Sequence, residues 1–387
     1  MMDDSKFISM AVNRMPASGI RDFFEFLDQN VDVISLAVGQ PDFMTPQHIS
    51  NAASESMLEG NTGYTSNYGL IELRELLAKH LNSLYGVSYN PTNEMLFTSG
   101  VSEALDIAVR AIVDPGDEVI VPEPAYVAYK PVILLAGAQY VPIPTYVADD
   151  FMVNPELIEQ AITPKTKAIL LGYPCNPTGG ILSKEKLQQI ADIAEKNDLI
   201  IIADELYDRL VYGVEHTCFA SLPNMKERTI LLGGFSKSYA MTGWRLGYVA
   251  AAPAILEAIM KIHQYVMMSA PTAAQYAGIE AIAHGEQDIE SMRLEYDARR
   301  QFLVNELRSM DFEISEPKGA FYAFPDVQSR TGLDGQEFSS QLLKKHQVAV
   351  VPGEVFGESG KNCVRMCYAT SMNELEEAIT RIKKFIQ

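Results

Sequence analysis

The chain has 387 residues, enough for two packed domains rather than one small core. Its 47% hydrophobic and 21% charged residues, with no low-complexity tract, are those of a folded globular chain. A net charge of −19, from 31 basic and 50 acidic residues with no basic cluster, argues against nucleic acid and anionic membrane surfaces as partners.

In chain order, the opening MMDDSKFISMAVNRM has two early acids and no long apolar core, so it reads as neither a signal nor a transit peptide. No later stretch approaches the roughly 18 apolar residues of a membrane span. A helix is expected from about 102 to 113, then the turn and strand of DPGDEVIVPEP at 118–121. KAILLG (167–172) reads as a buried strand. The following segment, 184–197, puts Leu187, Ile190, Ile193 and Ala194 on one helical face behind a Ser183 N-cap. Strands follow at 199–203 (LIIIA) and 229–232 (TILL), then a helix at 254–267 with Ile255, Ile259, Ile262 and Val266 on one face. Strands that are apolar along their whole length and alternate with helices indicate a mainly parallel sheet covered on both faces.

A long charged helix at 286–309 leads into short strands at GAFYAFP (319–325), QVAVVPG (347–353) and CVRMCYA (363–369). The last helix is expected to begin at Asn373, with Glu376 at its third position, before Leu375, Ile379, Ile382 and Ile386. The fold class is therefore α/β: a large domain with a mainly parallel seven-stranded sheet (46–285) and a smaller α+β domain (286–387). Residues 1–45 pack on the small domain or on a partner subunit. Cys175, Cys218, Cys363 and Cys367 show no disulfide or zinc-finger spacing and read as reduced thiols in a cytoplasm. Six scattered histidines without HExxH leave no metal expected.

Ligands of an open parallel sheet bind beyond the carboxyl ends of the strands. Three expected strands end there in polar groups: Tyr173-Pro174-Cys175-Asn176-Pro177-Thr178-Gly179, Asp204-Glu205-Leu206-Tyr207 and Gly233-Gly234-Phe235-Ser236-Lys237. Parallel strands bring Asn176, Asp204, Tyr207 and Lys237 to one rim. A lysine beside an apolar sheet end has a lowered pKa and is a nucleophile toward an aldehyde. An aspartate at the bottom of such a site can hold a pyridine nitrogen protonated. Arg245 offers a planar fork to a phosphate, and Gly100, Val101 and Ser102, in TSGVSEAL, offer helix-start N–H groups to the same anion. Singly, each residue has an ordinary reading: Asp204 as a turn residue, Ser102 as an N-cap, Lys237 as a solvated lysine, Arg245 as a stack on Trp244. Together they describe a pocket for pyridoxal 5′-phosphate (PLP).

The motifs YPCNPTGG (173–180), ADELYDRL (203–210) and FSKSYAMTGWRLGY (235–248), with TSGVSEAL and CVRMCYA, resemble those of the class I/II aminotransferases of PLP fold type I. The resemblance covers nearly the whole chain and points to the subgroup with archaeal and bacterial aromatic and aspartate aminotransferases. It implies that Lys237 holds the cofactor as a Schiff base and acts as general base, and that Asp204 pairs with the ring nitrogen. Tyr207 and Asn176 would bond the ring 3-oxygen, and Tyr126, in EPAYVAY, would stack on the ring. Gly100, Val101, Ser102, Ser236 and Arg245 would hold phosphate, and Tyr64, in GYTSNYG, would reach the phosphate of a neighbouring subunit in a homodimer. Arg365 would grip the substrate carboxylate, assisted by the Gly39 backbone in AVGQPDF and by Asn176. Many relatives have a serine three residues before the lysine, where this chain has Gly234; Ser236 substitutes, or that hydrogen bond is absent.

The resemblance implies ping-pong transfer of an amino group between amino acids and 2-oxo acids. Glutamate and 2-oxoglutarate are one expected pair, with an aromatic, aspartate or alanine-type partner. The competing reading is a PLP-dependent carbon–sulfur β-lyase on the same fold. Phe23, Tyr64, Tyr126 and Tyr322 are candidates for side-chain specificity, and Arg14 or Arg21 for a second carboxylate.

Overall fold

A computed structural model describes residues 7–13, 15 and 32–387, so Arg14, Arg21 and Phe23 lie outside the described residues. Its strands are β1 (Ile34–Ser35), β2 (Met95–Ser99), β3 (Glu118–Glu123), β4 (Gln139–Pro144), β5 (Thr166–Gly172) and β6 (Ile200–Asp204). They continue with β7 (Thr229–Gly234), β8 (Leu246–Ala250), β9 (Tyr322–Ala323), β10 (Val348–Ala349), β11 (Val351–Pro352) and β12 (Val364–Cys367). Seven of them form one sheet in the order β2-β8-β7-β6-β5-β3-β4. Only β8 runs against its neighbours.

The apolar runs follow from burial on both faces. In β5, Ala168 and Leu170 enter one core while Ile169 and Leu171 enter the other, and β6 alternates in the same way with Ile202 against Ile201 and Ala203. The helices Gly100–Ile112 and Pro253–Val266 cover the first face. Gln47–Leu58, Ile71–Tyr85, Lys184–Lys196 and Thr272–His284 cover the second. Each fully buried aliphatic side chain contributes on the order of 1.5–3 kcal/mol, so two continuous cores fix the strand ends firmly.

A separate core holds Tyr296, Leu303, Tyr322, Val348, Val364, Leu375 and Ile379. Here β11, β12 and β9 make an antiparallel sheet, and β1 pairs with β10 in parallel, tying the chain near residue 34 to residue 348. The helix Glu286–Ser309 joins the cores: Ile289 packs into the main one, Met292 onward into this one.

Three local expectations change. The last helix is capped by Ser371, not Asn373, in a full capping box with Glu374; a serine hydroxyl reaches the third N–H at this geometry. The helix Pro253–Val266 buries Leu256, Ile259, Met260 and His263, and Val266 is 48% exposed. Its apolar residues outnumber one stripe, so periodicity alone offered two faces. The expected strand 319–325 shrinks to the two residues of β9.

Candidate active site

The parallel strands and β2 all end at one rim, and the reversed β8 begins there, which delivers Arg245 to the same place. A cavity of about 360 Å³ opens at this rim. Gly39, Val101, Ser102, Tyr126, Asn176, Asp204, Tyr207, Ser236, Lys237, Arg245 and Arg365 line it, as does Tyr322. Gly100 stands just behind, and Tyr64 lies away from the cavity, 84% exposed.

Lys237 enters from the turn after β7. Burial lowers its pKa to about 8, and the neighbouring Arg365 and Arg245 act in the same direction, against Cys367 and Asp204. Its Nζ donates to the Gly39 carbonyl at 2.6 Å. Asp204 ends β6 and faces the same cavity. Burial raises its pKa to about 6, opposed by hydrogen bonds from the Tyr129 hydroxyl at 2.9 Å and the Leu206 N–H at 3.3 Å. A buried amine that titrates near neutrality and a carboxylate suited to a cationic partner thus share one space.

At one end of the cavity the helix Gly100–Ile112 presents its first N–H groups. Gly100 has φ +75, and a Cβ there would fall 2.4 Å from an Arg245 Nη, so glycine is required both for the turn and for the arginine. The half-buried Arg245 donates to the Thr242 carbonyl at 2.9 Å and has no carboxylate in ion-pair range among the described residues. A guanidinium and helix-start amides without an anion of their own suit a phosphate. Gly234 has no room for a side chain: its Cβ would meet Val101 at 2.8 Å and the Leu246 carbonyl at 3.1 Å. The serine of many relatives would therefore collide here, while the buried Ser236 does face the cavity.

At the other end, the buried Arg365 projects from β12. It donates to Asn176 Oδ1 at 2.9 Å and to the Ala37 carbonyl at 2.6 Å, and its buried Nε has no partner among the described residues. The rings of Tyr322 and Phe356, at 4.5 and 5.0 Å, hold the guanidinium plane by cation–π contacts. The Tyr207 and Tyr322 hydroxyls bond each other at 2.8 Å. The sequence reading did not single out Tyr129, although it recurs three residues after Tyr126 in EPAYVAY, a one-turn spacing that was available as a signal. Nor did it find Phe356, a ring supplied by a segment with no motif of its own.

These residues fit PLP: an amine of lowered pKa, a buried carboxylate, an aromatic wall at Tyr126, and an anion cradle without an anion partner, all on one cavity. The class so defined is a PLP enzyme of fold type I. The sequence matches the family "Aminotransferase class I and II" over residues 31–382, and the chain belongs to that family, whose members use PLP. It is 43% identical to an aspartate aminotransferase of Pyrococcus abyssi over 96% of both chains. It is 39% identical to aromatic-amino-acid aminotransferase 2 of Thermococcus litoralis, again over 96% of both. The crystal structure of an aromatic aminotransferase from Pyrococcus horikoshii superposes with a TM-score of 0.90 at 42% identity, covering 94% of this chain and 98% of that one. The relatives named here are aminotransferases, and nothing favours the lyase reading.

Proposed function

We propose that this chain transfers the α-amino group of an aromatic or acidic amino acid, with glutamate and 2-oxoglutarate as one pair. The observation that carries the reading is one cavity in which Lys237, of lowered pKa, faces Asp204 while Arg365 and Arg245, at its two ends, have no carboxylate in ion-pair range among the described residues. Bound PLP supplies an electron sink for the charge left when a substrate Cα loses its proton. Lys237, close to half-neutral near pH 8, takes that proton and returns it. Asp204 holds the ring nitrogen, and Tyr207 with Asn176 faces the ring 3-oxygen. Val101, Ser102, Ser236 and Arg245 hold the phosphate against the helix start, with Gly100 leaving the space. Arg365 grips the substrate carboxylate, assisted by the Gly39 backbone, with its plane set by Tyr322 and Phe356; in this structure the Gly39 carbonyl accepts from Lys237 Nζ.

The aromatic lining of Tyr126 and Tyr322 supports aromatic substrates, and the aspartate and aromatic names of the relatives support both classes. Tyr64, exposed on the surface, serves the phosphate site of a second copy in a homodimer. Residues 46–285 and 286–387 act as the large and small domains, and the protein works in a cytoplasm. No helix of the described residues is long and apolar enough to cross a membrane. The test is the visible absorbance of PLP-loaded protein given single amino acids without an acceptor. The band should fade with a donor and return with 2-oxoglutarate; a Lys237→Ala protein should do neither and should lose turnover entirely. Steady turnover by Lys237→Ala above trace level would overturn the reading.

A further inference from the structure

Asp204 is not held by the sheet alone. Its cross-strand partner in the β5–β6 register is Gly172, and an added Cβ there would lie 2.1 Å from the Tyr129 hydroxyl. The missing side chain at Gly172 is therefore a slot, and the Tyr129 hydroxyl fills it to donate to Asp204 Oδ2 at 2.9 Å. Tyr129 is 4% exposed and closes a turn with Tyr126, whose carbonyl accepts its N–H at 3.1 Å. The two rings meet edge to face, with centroids at 5.6 Å and an interplanar angle of 83°. One side chain thus buttresses both the carboxylate and the aromatic wall of the cavity.

We propose that Tyr129 is a positioning residue for the cofactor ring, fixing one Asp204 oxygen so that the other is left to the ring nitrogen, and setting the tilt of Tyr126. This rests on the role assigned above to Asp204. The physical case is that a buried carboxylate keeps its charge only where donors satisfy it, and Asp204 has just two among the described residues, the Leu206 N–H and this hydroxyl. The titratable groups facing Asp204 are Tyr129 and Tyr126 from the segment after β3, Cys175 after β5, its neighbour Glu205, and Lys237 after β7. Of these only Lys237 is a cation, and it is the group that must titrate during the reaction. The hydroxyl is therefore the fixed donor that keeps Asp204 ionised when Lys237 is neutral.

The test is PLP affinity of full-length protein from pH 6 to 8.5, by titrating cofactor-free Tyr129→Phe, Asp204→Asn and the double variant. Tyr129→Phe keeps the ring and the packing, and its melting temperature without cofactor checks that it folds. It should bind PLP roughly tenfold more weakly at neutral pH, and more weakly still toward pH 6, because losing a donor raises the Asp204 pKa. In the Asp204→Asn background the same substitution should change affinity little, since its effect passes through the carboxylate. An affinity profile for Tyr129→Phe that superimposes on the unmodified protein, or an equal loss with Asn at 204, would overturn this inference while leaving Asp204 its role. PLP binding unaffected by Asp204→Asn would overturn the site reading and this inference with it.

Discussion

Asp204 and Glu205 are adjacent acids at the end of one strand, both buried, and they point to opposite faces of the sheet. Glu205 faces the core side, where both its oxygens are taken: Oε1 by the Phe219 N–H and Oε2 by His216, each at 2.7 Å. Three residues on, Asp208 is similarly bound by the Tyr85 hydroxyl at 2.7 Å. Asp204 faces the cavity with one oxygen on a hydroxyl and the other only weakly bonded, at 3.3 Å. Both acids bear the cost of burial, but only Glu205 recovers it within the chain. A saturated buried carboxylate holds structure, whereas a half-satisfied one beside a cavity is waiting for a partner from outside.

The largest expected break in this symmetry is Asp204→Asn. It should lower kcat by roughly 10²–10³-fold, since it removes a preorganised charge beside the site of reaction, while barely changing the unfolding midpoint of the cofactor-free protein near pH 4. Near-normal kinetics would remove its role. Glu205→Gln should do the reverse. Leaving His216 and the Phe219 N–H poorly matched should cost on the order of 2–3 kcal/mol of stability, measured by denaturant unfolding, with PLP affinity unchanged. The loss should also depend on pH. Burial opposes the His216 charge, but the Glu205 charge and hydrogen bond, with Asp208, raise its pKa above the ordinary 6.5. A raised histidine pKa contributes stability that is complete below 6.5 and fades as pH climbs through the folded value. Glu205→Gln should therefore hurt more at pH 6 than at pH 9; a penalty that does not vary with pH would show that the pair is not ionised.

The sequence motif ADELYDRL places these acids without telling them apart. The strand rim and the convergence of Asn176, Asp204, Tyr207 and Lys237 were legible because long apolar runs allow only a sheet covered on both faces, and strand ends then follow. The resemblance supplied Arg365 and Tyr126. What stayed hidden depends on neighbours remote in sequence: Tyr129 beneath Asp204, Phe356 over Arg365, and the walls of Val101 and Leu246 that forbid a side chain at Gly234. The Ser371 cap was missed because Ser371 and Asn373 both precede apolar residues at helical spacing, and only the backbone angle selects between them.

The last expected effect, no larger than the loss for Glu205→Gln, is the most discriminating, because it sets stability against function at one residue. In the cofactor-free protein the Asp204 pKa is about 6, against an ordinary value of 3.8. Below pH 3.8 the carboxyl is protonated whether the chain is folded or unfolded, and it favours neither. Between 3.8 and about 6 the unfolded chain ionises first, so stability falls as pH rises, by on the order of 2–3 kcal/mol once both states are charged. Asp204→Asn carries no such charge. Cofactor-free Asp204→Asn should therefore match the unmodified protein near pH 4 and exceed it in stability above pH 6, where it is least able to hold PLP. Glu205→Gln, with its acid already satisfied, should show no gain at any pH. An Asp204→Asn protein that is no more stable at pH 7.5 would mean that the chain already compensates this charge, and that Asp204 resembles Glu205 more closely than the geometry indicates.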